Sequence, residues 1–217
     1  MTRVYLVRHG ETTWNQEGCL QGSADIPMSE VGQEQMRTTA RFLGELVDGL
    51  FHVFSSDLQR CTESVAMLSG AQPLRTVVSE RLREVDFGSW TGKTVDDVRE
   101  VPAARCAWDE LQPDYVWDGG ESFAIACDRA AQAITEHIAT LRPERLVIVT
   151  HGLIIQLLLA LWVCGSMSCA SRFTISNGSV TVLDWRSRSE IAIVSMNIVP
   201  TELAAYARNG PPRDVHN

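Results

Sequence analysis

Two stretches of the sequence, far apart along the chain, share one pattern: a run of strand-forming residues that ends in His-Gly. The run Arg3 to Val7 leads into Arg8-His9-Gly10, and the run Arg145 to Thr150 leads into His151-Gly152. Beyond their first residue, both runs are aliphatic, β-branched or aromatic, which predicts buried strands. Ligands of α/β proteins bind at the carboxyl ends of the strands. The pattern therefore predicts an α/β protein in which two His-Gly pairs meet at one edge of the sheet.

The rest of the chain alternates between helical and strand patterns. Helices are predicted over 30–47, 58–68, 94–112, 123–141 and 153–164. Ser29 is the predicted N-cap of the first and Ser56-Asp57 the predicted cap of the second, and Pro102 breaks the third. Further strands are predicted over 51–55, 74–78, 180–185 and 191–198. We therefore expect a three-layer α/β/α fold with a mostly parallel central sheet and one antiparallel C-terminal strand pair.

The domain organisation follows from the absence of any internal repeat, low-complexity tract or linker in the sequence. We expect one domain over 1–206 and a frayed C-terminal tail over 207–217. The residues at about 85–120 have no clean period and carry several glycines, so a loop and helical excursion from the sheet is predicted there.

Charge and hydropathy weigh against several classes of protein. The net charge of −8 argues against a nucleic-acid-binding surface, which needs a basic patch. The most apolar run, Leu153 to Cys164, is interrupted by Gln156 and is shorter than the ~20 residues of a membrane span. The chain enters a strand directly after Met1-Thr2, with no apolar signal core, so a cytoplasmic protein without membrane contact is expected.

The six cysteines form no Cys-x-x-Cys pair, and no histidine is spaced to complete a zinc site with them. We therefore expect reduced thiols and no metal. Cys61 follows a candidate site residue, Arg60, but a small buried hydrophobic residue is the favoured interpretation over a nucleophile.

A third strand end adds another cation to the predicted site. Arg60 falls on the first turn of the helix that follows the second predicted strand. Taken singly, such an arginine is most often a solvated helix residue, and His151 is as often a core or capping residue. The glycine after each histidine lets backbone N–H groups approach an anion, and the helix after His151 points its positive end at the same place. Together these residues indicate a site for an anion such as a phosphate.

Five separated motifs resemble those of the histidine phosphatase superfamily, the phosphoglycerate-mutase-like enzymes. In chain order they are Arg8-His9-Gly10-Glu11-Thr12 with Asn15, Ser55-Ser56-Asp57-Leu58-Gln59-Arg60, Arg83-Glu84 before Phe87-Gly88-Ser89-Trp90-Thr91-Gly92, Gly119-Gly120-Glu121-Ser122, and Thr150-His151-Gly152. They fall where the strand predictions place them, over nearly the whole chain.

The resemblance implies roles for individual residues. His9 matches the nucleophile that takes up the phosphoryl group as a phosphohistidine, and Glu84 matches the acid that protonates the leaving oxygen. The other site residues match a cationic clamp, formed by Arg8, Arg60 and His151, and secondary phosphate contacts, formed by Asn15, Gln21, Gly22 and Gly152. Phosphoryl transfer of this kind needs positioning and cations, so neither a metal nor another cofactor is expected.

The resemblance favours hydrolysis of a small phosphomonoester, because only 35 residues separate Glu84 from Gly119, where the family's mutases carry a longer insertion. Broad acid phosphatases, α-ribazole phosphatases, phosphoserine phosphatases and sugar-phosphoglycerate phosphatases stay open as models for the substrate. Two alternatives also stay open: a phosphoglycerate-mutase-type phosphoryl transfer, and a non-catalytic relative that binds phosphorylated ligands.

Some secondary assignments depend on the tertiary structure. Asp86, and less strongly Glu11, are rivals of Glu84 for the role of the acid. Five loop residues are candidates to line the mouth of the site, although each taken singly is more often a core or scattered surface residue: Trp14, Trp90, Tyr115, Trp117 and Arg172. The last predicted strand, over 191–198, is a candidate edge for a homodimer.

Overall fold

A computed structural model describes residues 1–46, 52–69 and 75–203 of the chain. Its strands are β1 (Thr2–Arg8), β2 (His52–Ser55), β3 (Arg75–Val78), β4 (Arg145–Thr150), β5 (Val180–Ser187) and β6 (Glu190–Ile198). Its α-helices are α1 (Thr13–Gln16), α2 (Glu30–Leu46), α3 (Gln59–Leu68), α4 (Val95–Glu100), α5 (Pro102–Glu110), α6 (Phe123–Leu141) and α7 (Gly152–Leu159).

The six strands form one sheet in the order β3-β2-β4-β1-β5-β6. The first four pair in parallel, whereas β5 runs antiparallel to β1 and to β6. The C-terminal hairpin therefore closes one side of a parallel sheet, and β6 is its edge strand. The predicted α/β architecture with its antiparallel C-terminal pair is confirmed.

Both faces of the sheet are covered, because alternate residues of each central strand enter different cores. In β1, Val4 and Leu6 pack in the larger core, together with α6 and α7. Tyr5 and Val7 pack in the smaller core, together with α2 and α3. Two buried faces explain the nearly continuous apolar runs in β1 and β4. No helix in the described part of the chain is long and apolar enough to cross a membrane.

Two predicted helix boundaries are wrong. Helix α3 has Leu58 as its N-cap, without a side-chain cap, because Ser56 and Asp57 are engaged elsewhere, with His151 and Arg83. The helix predicted over 153–164 is α-helical only to Leu159 and then continues as a π-helical turn to Cys164. Three predicted elements end or begin at residues that lie outside the described ones, namely 47, 51 and 74. The predicted tail over 207–217 also lies outside them.

The excursion between Glu84 and α6 is built around Trp117. Its side chain is fully buried, so the expectation that it lines the mouth of a site is wrong. Five aromatic rings surround it at centroid distances between 5.1 and 6.4 Å: Phe87, Trp90, Trp108, Tyr115 and Phe123. This aromatic cluster, Trp117 with its five neighbours, joins the excursion to the larger core of the sheet.

Candidate active site

The register of the two central strands brings the histidines together. Arg8 at the end of β1 lies opposite Thr150 at the end of β4, so His9 and His151 follow at the same level. Their ring centroids are 5.2 Å apart, and both side chains are buried. The predicted meeting of the two His-Gly pairs at one sheet edge is confirmed.

The tautomer of His9 is fixed by its own loop. Nδ1 lies 2.7 Å from the carbonyl oxygen of Gly10, and since a carbonyl can only accept, Nδ1 carries the proton and donates. The lone pair is then on Nε2. Burial, followed by the charges of Arg60 and Arg8, holds the pKa of His9 well below its usual value. His9 therefore presents a neutral ring with a free lone pair.

His151 has the opposite tautomer. Arg60 Nε donates to Nδ1 at 3.2 Å, so the proton is on Nε2, which donates to Ser56 Oγ at 2.9 Å. Burial and then Arg60 hold the pKa of His151 well below its usual value. The resemblance implies a cation at this position, whereas these surroundings favour a neutral ring. Cys61 Sγ lies 3.6 Å from Nε2, and burial raises the pKa of this thiol to about 12, which argues against a thiolate.

Arg60 is completely buried and held at three of its nitrogens. Besides the bond to His151, Nη1 donates to Ala24 O at 2.7 Å and Nη2 donates to Gly22 O at 2.8 Å. Gly22 thus supports the arginine through its carbonyl, instead of lining the cavity as expected. Gln21, its neighbour, does line the cavity, and its buried Oε1 has no partner among the described residues.

Arg8 lies so close to the start of α7 that a side chain at position 152 would press against its guanidinium. A Cβ on Gly152 would lie 3.1 Å from both Cζ and Nε of Arg8. Nη1 of Arg8 donates to Ile175 O at 2.6 Å, while its buried Nε has no partner among the described residues. The guanidinium is therefore anchored at one end and keeps an N–H available at the other.

Glu84 lines the same cavity as His9, and backbone N–H groups hold both of its carboxyl oxygens. Val85 N donates to Oε1 at 3.0 Å and Leu153 N donates to Oε2 at 3.3 Å. Burial nevertheless raises the pKa of Glu84, and these bonds, Arg60 and Arg8 offset only part of the rise. The rival acids Asp86 and Glu11 do not line the cavity.

The segment that carries Glu84 is fastened to α6 by Arg129, a residue that sequence reasoning missed. Its guanidinium donates to three carbonyl oxygens of this segment, those of Arg81, Arg83 and Glu84, at 2.8 to 2.9 Å. It also forms a two-pronged ion pair with Glu121, whose Oε1 accepts from the backbone N–H of Asp86. The Gly-Gly-Glu-Ser motif could have pointed to Arg129, since Glu121 of this motif is its ion-pair partner.

Asn15 joins the site through the loop after β1. Its Oδ1 accepts from Thr12 N, which caps α1, and from Asn177 Nδ2 at 3.2 Å. Its own Nδ2 makes no hydrogen bond to the described residues, and Asn15 is one of the residues that line the cavity. Asn177 also donates to His9 O, a contact that sequence reasoning missed because the Ser176-Asn177-Gly178 turn carries no periodic signal.

The cavity has a volume of about 210 Å³. Its lining residues are Arg8, His9, Asn15, Cys19, Leu20, Gln21, Arg60, Glu84, Phe87, Trp108, Gly152, Leu153, Gln156 and Ile175. His151 is not among the lining residues, but it contacts Arg60, which is. Like Trp117, the other aromatic and basic candidates for the mouth do not line it: Trp14, Trp90, Tyr115 and Arg172. The described residues contain no group of three or more His, Cys, Asp or Glu side chains that could hold a metal ion.

The sheet order and the paired His-Gly strand ends define an α/β protein of the phosphoglycerate-mutase-like class. The chain belongs to the histidine phosphatase superfamily (branch 1), whose family model matches residues 4–199. Among curated proteins it is 28% identical over 196 residues to "Probable phosphoglycerate mutase GpmB" of Enterobacter sp. (strain 638), covering 88% of this chain and 89% of the relative.

Solved structures of similar fold include phosphatases. Mycobacterial glucosyl-3-phosphoglycerate phosphatase, in complex with VO3, superposes with a TM-score of 0.81 at 29% identity, covering 91% of this chain and 99% of that chain. YhfR of Bacillus stearothermophilus superposes with a TM-score of 0.80 at 28% identity, covering 90% of this chain and 96% of its own. The chain is thus similar both to proteins named as mutases and to proteins named as phosphatases.

Proposed function

We propose that this protein hydrolyses a small phosphomonoester through a phosphohistidine on His9. One observation carries the proposal: His9 presents an unprotonated Nε2 in a cavity lined by Arg8 and Arg60, with the carboxyl group of Glu84 in the same cavity. Phosphoryl transfer requires an aligned nucleophile, cations around the equatorial oxygens and a proton for the leaving oxygen. These residues supply all three.

In the first half-reaction, Nε2 of His9 forms a bond to phosphorus as the bond from phosphorus to the ester oxygen breaks. Gly10 O accepts from Nδ1 and stabilises the positive charge that develops on the ring. Arg8 and Arg60 hold the phosphoryl oxygens, and Asn15, Gln21 and the backbone N–H of Gly152 are secondary contacts. Glu84, whose pKa is raised by burial, gives its proton to the leaving alcohol.

In the second half-reaction, water attacks the phosphorus of the phosphohistidine. Glu84, now a carboxylate, takes a proton from this water, and the bond between phosphorus and Nε2 breaks. Inorganic phosphate leaves, His9 returns to its neutral form and Glu84 is again protonated, so the cycle closes without a further reactant. One carboxyl group serves as acid and then as base.

The comparisons support phosphoryl chemistry of this type in two ways. The similar mycobacterial phosphatase has been solved with VO3 and with inorganic phosphate, which are both oxyanions. The relatives named as phosphoglycerate mutases favour a second candidate function, in which the phosphoryl group of His9 returns to a phosphoglycerate instead of passing to water.

Phosphate release by the full chain tests the proposal. In the presence of EDTA, we expect p-nitrophenyl phosphate and at least one alkyl phosphate to release inorganic phosphate, and His9→Ala to abolish the release. Activity that is lost on chelation would contradict the metal-independent mechanism. Interconversion of 3-phosphoglycerate and 2-phosphoglycerate without net release would favour the mutase alternative.

A further inference from the structure

The cavity has two chemically distinct parts, which together specify the alcohol that the substrate carries. The charged part contains Arg8, Arg60 and Glu84 around His9. The second part, the apolar wall, is formed by Leu20, Phe87, Trp108, Leu153 and Ile175. Among the described residues that line the cavity, Arg8 and Arg60 are the only cationic side chains.

Both cations are committed to the phosphoryl group. Both line the cavity and act electrostatically on His9, and together their two charges match those of a phosphate dianion. Glu84, the other acid–base group of the described lining besides His9, is either neutral or negative and cannot pair with an anion. A second anionic group on the substrate would therefore meet no further cation in the described lining, and the desolvation of an unpaired carboxylate is costly.

The apolar wall includes two aromatic rings, those of Phe87 and Trp108. Trp108 on α5 is half-buried, and its ring lies 5.9 Å from Phe87 and 6.4 Å from Trp117, both of which are buried. Leu153, at the start of α7, is also half-buried and lines the same cavity. A substrate with an apolar face can cover the exposed parts of these two side chains. This removes apolar surface from water and so stabilises the complex.

We propose that the substrate is the phosphate ester of an uncharged alcohol with an apolar or aromatic face, and that phosphorylated carboxylic acids are poor substrates. This inference rests on the proposed function and narrows it. The cavity of about 210 Å³ holds the phosphoryl group and the part of the alcohol next to it. Since 3-phosphoglycerate carries a carboxylate, the lack of a further cation in the described lining also weighs against the mutase alternative.

Two matched pairs of alkyl phosphates test the inference through kcat/KM of the full chain. The first pair, glycerol 3-phosphate and 3-phosphoglycerate, differs in the carboxylate. The second pair, 2-phenylethyl phosphate and ethyl phosphate, differs in the aromatic face. In each pair we expect the first ester to be preferred by at least about tenfold, the effect of one well-matched contact in a binding pocket.

Variants at two positions assign these preferences to residues. Trp108→Ala is expected to reduce the preference for 2-phenylethyl phosphate, and Trp108→Phe, which keeps an aromatic face, is expected to retain most of it. Gln156→Arg adds a cation at the cavity, where Gln156 now donates to Phe173 O. It is expected to raise kcat/KM for 3-phosphoglycerate relative to glycerol 3-phosphate, whereas the neutral Gln156→Met is not.

The outcomes separate this inference from the proposed function. Hydrolysis of all four esters without these preferences, or a preference for 3-phosphoglycerate, would overturn the inference and leave the phosphatase proposal intact. Failure to release phosphate from any ester, p-nitrophenyl phosphate included, would overturn both.

Discussion

His9 and Glu84 have opposite pKa shifts with one shared cause. Burial disfavours the charged form of each group, so it lowers the pKa of the imidazole and raises the pKa of the carboxyl. Both groups are thereby moved toward the neutral form, which the first half-reaction requires of the nucleophile and of the acid. The same buried environment therefore prepares two residues for two different roles.

The role of Glu84 predicts a dependence on the leaving group. Glu84→Gln keeps the shape of the side chain but has no proton to give, so hydrolysis of an alkyl phosphate should slow by about 10²- to 10⁴-fold. Formation of the phosphoenzyme from p-nitrophenyl phosphate should slow much less, because nitrophenolate leaves without a proton. Single-turnover release of the two alcohols measures this, and Asp86→Asn is the matched control. Equal slowing of both esters by Glu84→Gln would assign the acid elsewhere.

The pH dependence of kcat/KM tests the role of Glu84 independently. For the wild-type protein, kcat/KM for an alkyl phosphate should fall as the pH rises through the raised pKa of Glu84, because the acid is then deprotonated. It should also fall at acidic pH, once His9 is protonated below its lowered pKa. Glu84→Gln should lose the alkaline limb and keep the acidic one. An unchanged alkaline limb in this variant would contradict the assignment.

At the scale of elements, the segment that carries Glu84 owes its position to a contact with α6. This segment is mostly irregular, with only a short 3₁₀ turn at Glu80–Leu82, and three of its carbonyl oxygens are satisfied by Arg129. An arginine presents five N–H donors in a rigid planar fork, which suits several acceptors held at fixed positions. Arg129 is thus a positioning residue that acts through Glu84.

Replacement of Arg129 should therefore impair the acid more than the nucleophile. We expect Arg129→Met to lower kcat for alkyl phosphates by about 10²-fold, the effect of a misplaced catalytic group, and to affect release of nitrophenolate less. It should also destabilise the fold by about 1–3 kcal/mol for an unsatisfied buried group. The control is Arg99→Met, which removes an exposed arginine of α4. A uniform loss with both leaving groups would indicate a purely structural role.

The packing of α2 against the loop after β1 depends on glycine. A Cβ at Gly32 would lie 2.1 Å from the backbone oxygen of Glu11, whereas a Cβ at Gly44 on the same helix meets nothing within 4 Å. We predict that Gly32→Ala lowers the free energy of unfolding by about 1–3 kcal/mol through overpacking. Gly44→Ala should raise it by about 0.5–1 kcal/mol through helix propensity. Urea denaturation of both variants measures these changes, and equal effects would contradict the close packing.

Sequence patterns predicted the elements well where the signal is local. The apolar runs of β1 and β4 and the helical period of α6 depend only on residues close in sequence, so their positions could be predicted. The partners of Ser56, the burial of Trp117 and the three acceptors of Arg129 depend on how distant elements meet. No periodicity encodes such contacts, and these features were missed or assigned wrongly.

At the scale of the whole molecule, the strand order explains why the candidate site is assembled from distant parts of the sequence. β1 and β4 are neighbours in the centre of the sheet, and β2 lies next to β4. His9, His151 and Arg60 follow these three strands, so one sheet edge collects residues that are up to 142 positions apart. The chain concentrates positive charge in this cavity although its net charge is −8.

The edge strand β6 is a second feature of the whole molecule. Its outer edge has no partner strand among the described residues, and the side chains of Val194 and Met196 in this strand are exposed. Unpaired strand edges readily pair with another chain. A homodimer through this edge therefore stays a prediction.

The central claim is that the phosphoryl group passes through His9. The most direct measurement is to mix the protein with p-nitrophenyl phosphate, quench with alkali during turnover, and locate the added phosphoryl group by mass spectrometry of peptides. We predict a phosphohistidine at position 9, with greater accumulation in Glu84→Gln, which lacks the base for the second half-reaction, and none in His9→Ala. A phosphoryl group on any other residue, or undiminished phosphate release by His9→Ala, would contradict the account.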